Sequence, residues 1–464
     1  MTKKLLKLSA LAFLLAPFSM QAQEPYTLSL FDDVIFYNMY EGPVSEPVPA
    51  GVIRTTNSSY SRKLTSGEIE SVGNTLTLNV TLSPLCDTYD RIGNVNLVMV
   101  PAGAASYTYS QADIVRIEMG RFITPFMNML VSNPDEVPYT FEVDNIAKLL
   151  HDVSISANYD FWIELEVYGY QGDASAGAVH DLPNTCPGRN DVYIGSLELV
   201  STNDPGVIQG DDNFFEPLSY KYELKNYTLA GTDVLGETVR TINFTLDEAV
   251  PKAKLYLITS NHGITEEFIR RLHYVHFDDE EVLNYTPGGV SCVPYRVFNT
   301  MPNCIYINCQ TGAWRPNADW AWSWNNWCPG NKIPTHIIEL GDLAAGEHSF
   351  KIEVPEAEFL DSNGNNGNGY FPVSAYLQGY SETLRNENFD YNVFKVFPNP
   401  ASDIITIDTG GQEIKTVTII NTLGQAILES ASDKIDLTQL ESGIYMVNVL
   451  FANNVAATQK IVKK

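Results

Sequence analysis

Four side chains that could move protons and bind a polar substrate stand close together in this sequence. They are Asp87, Tyr89, Asp90 and Arg91. Hydrolysis of an amide needs a base to activate water and donors to stabilise the developing charge. A carboxylate beside a guanidinium stays ionised at neutral pH. We therefore predict a reactive site here, at the end of an alternating apolar strand formed by Leu76, Leu78, Val80 and Leu82.

A second pair of carboxylates lies on a predicted strand, residues 162–168. Because side chains alternate along a strand, Glu164 and Glu166 share one face and the apolar residues between them share the other. Two carboxylates on one face suit the binding of hydroxyl groups. The alternative is a solvated strand face.

A third candidate group follows the predicted strand 254–258 and contains His262, Glu266 and Glu267. The histidines do not predict a metal site. His273 and His276 are three residues apart, which places them on opposite faces of a strand, and no third ligand has a suitable spacing.

Tryptophans are concentrated in residues 314–327. Trp320, Trp322 and Trp324 alternate, which places their rings on one side of an extended segment, and Trp327 follows in the run Trp-Cys-Pro-Gly. Aromatic faces bind the apolar faces of sugar rings, so this segment is a candidate glycan platform. The alternative is a set of buried core aromatics.

The whole chain has the features of an exported protein. Residues 1–22 read as a secretory signal peptide, with Lys3 and Lys4 before a short apolar run. Across 464 residues the net charge is −27, which argues against nucleic acid or an anionic membrane as a partner. Export and an even number of cysteines favour disulfides. We expect Cys328 to pair with Cys292, Cys304 or Cys309, but spacing alone does not fix the connectivity.

Short alternating runs separated by turn residues predict an all-β fold, for example residues 74–82, 240–246 and 348–354. A change in composition at residues 203–206 marks a boundary between two sandwiches. After about residue 391 a small module with its own strands follows. Its motifs resemble the carboxy-terminal sorting domain of the type IX secretion system, in particular the runs 396–402, 421–425 and 440–445.

The segment Cys86–Arg91 resembles the motif Cys-Asp-x-aromatic-Asp-Arg of the peptide-N-glycosidase F family, whose Gly-Arg-Phe-Ile-Thr-Pro run is present as Gly120–Pro125. That family cleaves the bond between an asparagine side chain and the first N-acetylglucosamine of an N-linked glycan. The resemblance implies that Asp90 is the main catalytic residue and that Asp87, Tyr89 and Arg91 bind substrate. It also implies that the Gly120–Pro125 run is scaffold.

The resemblance assigns roles to the other candidate groups. It matches Glu166 to a substrate-binding glutamate, with Glu164 as the alternative, and we count Glu166 with the catalytic residues. It matches Glu267 to the second key carboxylate, with Glu266 as the alternative. His262, Trp324 and Trp327 are expected to bind substrate.

Two family features are changed in this chain. The cysteines that flank the second carboxylate are replaced by Thr265 and Ile269. An arginine three residues before Trp327 is replaced by Trp324, and Arg315 is a possible substitute.

The resemblance implies two antiparallel jelly-roll sandwiches packed side by side, followed by a small carboxy-terminal β-sandwich. The expected boundaries are 1–22 for the signal peptide, 23–203 and 204–385 for the jelly rolls, and 394–464 for the sorting domain. We expect a monomeric, secreted or surface-attached amidase that passes through the periplasm, with N-glycoproteins and the type IX machinery as partners and with no cofactor. The alternative is a non-catalytic glycan-binding protein that uses the same cleft. A copper monooxygenase with paired jelly rolls would need histidine pairs and a ligand methionine that the sequence does not place.

Overall fold

The structure, a computed structural model, describes residues 24–170, 186–204, 213–263, 266–301, 326–360, 364, 367–380, 394–409, 414–421, 425–451 and 456–464. The chain divides into two compact units between Thr383 and Leu384. Regular structure is mostly antiparallel sheet, which confirms the predicted all-β class. Within the described ranges, no helix is long and apolar enough to cross a membrane.

The first sandwich is built from the following strands: β1 (Tyr26–Tyr37), β2 (Val52–Thr56), β3 (Ser59–Lys63), β4 (Thr77–Pro84), β5 (Ile92–Pro101), β6 (Val115–Ile123), β7 (Val137–Glu142), β8 (Tyr159–Val167) and β9 (Asp191–Ser201). One sheet has the order β1-β9-β4-β7, and the other contains β6-β5-β8-β3-β2.

The second sandwich follows: β10 (Asn213–Leu224), β11 (Val239–Leu246), β12 (Val250–Thr259), β13 (His273–Phe277), β14 (Glu280–Tyr285), β15 (Lys332–Ile333), β16 (His336–Leu343), β17 (Gly346–Glu353) and β18 (Phe371–Tyr380). Its sheets have the orders β10-β18-β12-β16 and β11-β17-β13-β14. Strand β15 instead extends the first sandwich by pairing with β6. The expected pair of jelly-roll sandwiches side by side is confirmed.

The helices are short: α1 (Ser66–Ser71), α2 (Asp144–Leu150), α3 (Val153–Ser156) and the 3₁₀ turns Glu266–Phe268 and Val293–Phe298. Helix α1 begins with a capping box, in which Thr65 and Glu68 each bind the other's backbone N–H.

Alternating burial along the strands explains why the inner faces of the first sandwich are apolar. Along β4, Leu78, Val80 and Leu82 are buried and the residues between them are half-buried. They pack against apolar side chains of the opposite sheet, among them Val95, Leu97, Ile163 and Leu165.

The outer face of the β6-β5-β8 sheet is polar but is not solvated. Asn94, Asn96, Glu164 and Glu166 point away from the first core, and all four are buried. Strand β10 packs over this face, where the Asn96 side-chain amide donates to the Tyr220 hydroxyl at 3.0 Å. The alternative that Glu164 and Glu166 lie on a solvated strand face is therefore wrong, because a second sandwich covers that face.

A β-bulge in β6 creates the central contact between the sandwiches. The register slips between Val95 opposite Gly120 and Asn96 opposite Glu118. Residues three apart normally face opposite sides of a strand, but the extra residue brings Glu118 and Arg121 to the same side. Gly120 permits this close packing, since a Cβ there would lie 2.2 Å from the Phe141 ring.

Glu118 and Arg121 form an ion pair of 2.6 Å in which both side chains are 0% exposed. Arg121 also donates to the Ser260 hydroxyl and to the Pro372 carbonyl, each at 2.8 Å. Ser374 donates its hydroxyl to Glu118. The buried ion pair of the first sandwich therefore has its other hydrogen-bond partners in the second sandwich.

The carboxy-terminal unit is a small β-sandwich with its own core. Its strands are β19 (Lys395–Phe397), β20 (Ile404–Asp408), β21 (Ile414–Asn421), β22 (Ala426–Ser430), β23 (Lys434–Asp436), β24 (Gly443–Phe451) and β25 (Ala456–Lys463). They form the sheets β19-β20-β23 and β22-β21-β24-β25 around buried Ile405, Ile407, Val417, Ile419, Val447 and Val449.

Replacing Arg121 by Met should destabilise the protein by about 3–5 kcal/mol, because Glu118 would remain buried without its counter-charge. The matched control is Arg240→Met, which removes an exposed pair with Asp233 and should cost about 1 kcal/mol or less. Urea unfolding of both variants measures the difference. Equal losses would contradict a structural role for the buried pair.

Candidate active site

Asp87 organises the loop between β4 and β5. Its carboxylate accepts hydrogen bonds from the backbone N–H of Tyr89 at 3.0 Å and of Tyr170 at 2.7 Å. It also receives Arg91 Nε at 2.7 Å and Nη2 at 3.2 Å. Its side chain is fully buried. Asp87 therefore fixes the loop and orients Arg91, and its oxygens have protein partners.

Arg91 is held in one position from several sides. The guanidinium lies 5.0 Å from the Tyr89 ring centroid, and its own backbone N–H donates to the Thr124 hydroxyl at 2.7 Å. Thr124 belongs to the Gly120–Pro125 run, so that run supports the loop. The side chain of Arg91 remains 24% exposed. Although burial opposes its charge, Asp87 raises the pKa of Arg91 above its usual value.

Asp90 is half-buried and faces the Trp327 indole. Burial raises the pKa of Asp90 to about 7, and the Arg91 guanidinium opposes this rise only in part. The expectation that the neighbouring guanidinium keeps this carboxylate fully ionised at neutral pH is therefore wrong, because burial outweighs the attraction of Arg91. The Trp327 indole N–H faces Asp90 and lowers the pKa of Asp90. Its geometry falls short of a regular hydrogen bond, and the buried Nε1 atom has no other partner among the described residues.

Glu267 lies on the 3₁₀ turn Glu266–Phe268 and accepts a hydrogen bond of 3.2 Å from the Gly263 backbone N–H. Burial first, and then the negative charge of Asp90, raises the pKa of Glu267 to about 8. The structure thus brings Asp90 of the first sandwich and Glu267 of the second within electrostatic reach of each other. We call these two residues the carboxyl pair.

The neighbouring Glu266 has a different environment. It is fully buried and forms two hydrogen bonds to Arg271, at 2.9 and 2.7 Å. Glu266 is occupied by this ion pair, whereas Glu267 lies within reach of the negative charge of Asp90.

Two asparagines hold the turn that carries Glu267. The Asn326 side-chain amide donates to the carbonyls of Glu266, Glu267 and Ile269 at 3.2, 2.8 and 3.2 Å. Asn261 donates to the Glu266 carbonyl as well. Sequence reasoning did not identify Asn326 as part of the site, although it stands next to the Trp-Cys-Pro-Gly motif.

His262 is buried against Trp327, one residue before the Gly263 N–H that binds Glu267. Its ring stacks on Trp327 with centroids 4.6 Å apart, and Nε2 contacts the Ser260 hydroxyl at 2.6 Å. Burial and the nearby Arg121 guanidinium hold the pKa of His262 well below its usual range, so the imidazole is neutral. Trp324, Trp320, Trp322 and Arg315 lie outside the described residues.

Glu166 belongs to a dense polar network rather than an open surface. Burial opposes its charge, but the Lys221 ammonium and hydrogen bonds from Tyr109 and Asn94 lower the pKa of Glu166 below its ordinary value. Lys221 also donates to the Tyr168 hydroxyl at 2.6 Å. Lys221 could have been noticed as a lone charge between Tyr220 and Tyr222 in a strand.

The alternative glutamate, Glu164, is also fully paired. It accepts from Arg116 at 3.1 Å, Tyr107 at 2.9 Å and Asn96 at 2.9 Å. Asn94 donates to Asn96 at 2.8 Å and so joins the two networks.

The other two histidines that were considered as metal ligands have structural surroundings. His273 is buried against Tyr285 and Phe371, while His276 is half-buried and contacts Glu353 at 2.8 Å. They occupy opposite faces of β13 as predicted. In the described part of the chain, no three His, Cys, Asp or Glu side chains are grouped to hold a metal.

Disulfides anchor both edges of the site. Cys86–Cys186 begins the Asp87–Arg91 loop, and Cys292–Cys328 follows Trp327. The second bond confirms one of the predicted pairings for Cys328. Cys304 and Cys309 lie outside the described residues.

Two jelly-roll sandwiches form the larger unit, and comparisons with known proteins agree with this architecture. The family model for "Peptide-N-glycosidase F, N terminal" matches residues 27–171, and the model for "Peptide-N-glycosidase F, C terminal" matches residues 232–378. "Secretion system C-terminal sorting domain" matches residues 395–464. The chain belongs to the peptide-N-glycosidase F family and carries a carboxy-terminal sorting domain.

Individual relatives are distant in sequence. The chain is 21% identical over 300 residues to peptide-N(4)-(N-acetyl-beta-D-glucosaminyl)asparagine amidase F of Elizabethkingia miricola, covering 64% of this chain and 71% of that protein. Two solved structures of PNGF-II share its fold at 18% identity, with TM-scores of 0.54 and 0.53. The matches cover 77% and 78% of this chain and span 66% of the length of each PNGF-II structure.

The raised pKa of Glu267 predicts a pH-dependent effect of Glu267→Gln. The pKa of Glu267 is ordinarily 4.5 and is about 8 in the folded protein. The contribution of Glu267 to the free energy of unfolding is therefore fully present below about pH 4.5 and is lost as the pH rises through 8. Glu267→Gln should therefore raise the melting temperature more at pH 9 than at pH 5.

Glu266→Gln is the matched control one residue away. It weakens the buried pair with Arg271 and should lower the melting temperature at both pH values. A pH-independent effect of Glu267→Gln would contradict the proposed environment of that carboxyl.

Proposed function

We propose that this protein is a secreted amidase that hydrolyses the bond between an asparagine side chain and the first N-acetylglucosamine of an N-glycoprotein. The observation that carries the proposal is the carboxyl pair, contributed by both sandwiches and lying beside Arg91. Membership of the peptide-N-glycosidase F family and similarity to an amidase of that name support this substrate class.

The carboxyl pair suits acid–base catalysis near neutral pH. Because each charge disfavours the other, the pair retains one proton across the range in which both would ordinarily be ionised. In the proposed reaction, ionised Asp90 takes a proton from water while the water oxygen attacks the amide carbonyl. Glu267 carries the retained proton and donates it to the departing nitrogen. The C–N bond breaks, which leaves aspartate in the peptide and a glycosylamine.

In this proposal Arg91 stabilises the developing oxyanion. Asp87 and Tyr89 fix its guanidinium before substrate binds, so little reorganisation accompanies the reaction. In this proposal Asp87 acts by positioning Arg91, and Tyr89 provides an aromatic wall beside it. His262 and Trp327 form an apolar floor that limits the access of water to the carboxyl pair.

Glu166 is proposed to position one wall of the cleft. Its carboxylate is 1% exposed and has protein partners, which favours this role over proton transfer. Through Lys221 it fixes the Tyr168 hydroxyl, and Tyr168 packs in the apolar cluster that contains Trp327. Glu166 would thus determine where the glycan core can lie.

Export is proposed to use both ends of the chain. Residues 1–22, which lie outside the described residues, would direct passage into the periplasm. The sorting domain indicates secretion or attachment at the cell surface, and the type IX machinery is the proposed partner. We also propose that the protein is a monomer and that its domains span residues 23–203, 204–385 and 394–464.

Asp90→Asn should reduce glycan release by at least about 10²-fold, because it removes the base while retaining the shape. Mass spectrometry of a glycopeptide measures both the free glycan and the conversion of asparagine to aspartate. Asp160→Asn is the matched control, since it changes a surface pair with Lys63 and should leave the rate unchanged. Near-normal release by Asp90→Asn would reject the assignment. A wild-type protein that binds glycan without converting asparagine would instead support the non-catalytic alternative.

Removing residues 394–464 should leave activity in vitro unchanged. The deleted unit has its own core, and the proposed site residues lie in the other unit. The same deletion in the native host should cause the protein to accumulate in the periplasm. Loss of activity with an unchanged thermal transition of the remaining unit would contradict this division of roles.

A further inference from the structure

An exposed aromatic pair lies next to Arg91, outside the residues assigned above. Tyr40 is 74% exposed and Tyr170 is 39% exposed. Their rings meet edge to face with centroids 5.6 Å apart. Met39 beside them is also exposed. Single exposed apolar residues are common in proteins, but a contiguous group commonly marks a binding surface.

The backbone that presents Tyr40 is held by a buried amide. Asn57 donates to the carbonyls of Asn38, Glu41 and Gly42 at 3.0, 3.3 and 3.1 Å, and it accepts from the Val44 N–H at 3.1 Å. The loop is therefore fixed on both sides of Tyr40, so its ring is presented to solvent by ordered backbone.

The segment that carries Tyr170 is fixed in the same way. The Met39 N–H donates to the Gly169 carbonyl at 2.9 Å, which joins the two tyrosine-bearing segments. The Tyr170 N–H donates to Asp87 at 2.7 Å. Binding to such a surface orders little additional backbone, and tyrosine has few rotatable bonds to restrict, so the entropic cost of contact is small.

The aromatic pair continues the surface of the proposed active site. The Arg91 guanidinium lies 5.9 Å from the Tyr170 ring centroid, and Arg91 is adjacent to Asp90 in the chain. The Tyr40 ring is the more exposed of the two and contacts Tyr170 edge to face. After burial and Glu223, the Tyr40 phenol also contributes to raising the pKa of Tyr370 in the second sandwich.

We propose that Tyr40 and Tyr170 form a carbohydrate subsite, in which their rings stack against pyranose rings of the glycan beyond its two N-acetylglucosamine core residues. Exposed aromatic faces complement the apolar faces of sugars, and phenol hydroxyls can bind sugar hydroxyls at the rim. The identity of the ligand as a glycan rests on the proposed function. The subsite would make the enzyme favour extended glycans over the bare core.

Two glycopeptides with the same peptide test this subsite. One carries only the chitobiose core, and the other carries a complete high-mannose glycan. Tyr40→Ala and Tyr170→Ala should each raise KM about fivefold for the complete glycan, with kcat unchanged, because a stacking contact made equally before and during reaction is lost. KM for the chitobiose glycopeptide should not change.

Two controls separate stacking from general damage. Tyr40→Phe keeps the ring and should retain most of the affinity for the complete glycan. Leu229→Ala removes a side chain of similar exposure, 70%, from the β10–β11 turn and should have no effect. An equal rise of KM for both glycopeptides would overturn the subsite, because the tyrosines would then contact the core or the peptide.

A binding measurement distinguishes failure of the subsite from failure of the proposed amidase. Free high-mannose oligosaccharide is titrated by calorimetry into full-length Asp90→Asn, with and without Tyr40→Ala. A roughly fivefold weaker Kd in the double variant supports the subsite even if the wild type proves inactive. An unchanged Kd, or absence of oligosaccharide binding by Asp90→Asn, overturns it even if amidase activity is found.

Discussion

The arrangement of the two sandwiches depends on the buried ion pair between Glu118 and Arg121. Removing two charges from water costs several kcal/mol per ion unless their remaining hydrogen-bonding atoms find partners. Ser260, Pro372 and Ser374 of the second sandwich supply those partners. We infer that displacing the second sandwich would leave charge without compensation, so the pair favours one relative position of the sheets. The cleft geometry follows from that position.

The same ion pair influences the chemistry of the cleft. Arg121 donates to Ser260, whose hydroxyl contacts His262, and its positive charge helps to keep that imidazole neutral. A protonated histidine there would add positive charge behind the carboxyl pair and lower its pKa values. Because His262 is neutral, burial dominates for both carboxyls, the charge of Asp90 adds to it for Glu267, and both pKa values are raised. A structural contact therefore helps to keep the pKa values of both carboxyls raised.

Local sequence patterns predicted the strands and the inner cores well, because one-sided burial produces regular alternation. They were less informative for the outer face of β5, β6 and β8, where the polar residues are buried by a distant part of the chain. No local signal distinguishes that face from a solvated one. The sequence also does not predict the bulge that brings Glu118 and Arg121 together, because the bulge depends on how β6 pairs with β5. Asn326 was missed because its three acceptors lie some 60 residues earlier in the sequence.

The contact between Arg121 and the Pro372 carbonyl spans 251 residues of sequence. Such a long-range contact can form only when nearly all of the two-sandwich unit is available, and contacts of high sequence separation form slowly. During synthesis, the loop with Asp90 would emerge long before the turn with Glu267 and longer still before β18. During part of its synthesis the nascent chain would therefore contain Asp90 without Glu267. The order of the chain itself therefore delays assembly of the contact between the sandwiches until most of the chain has been synthesised.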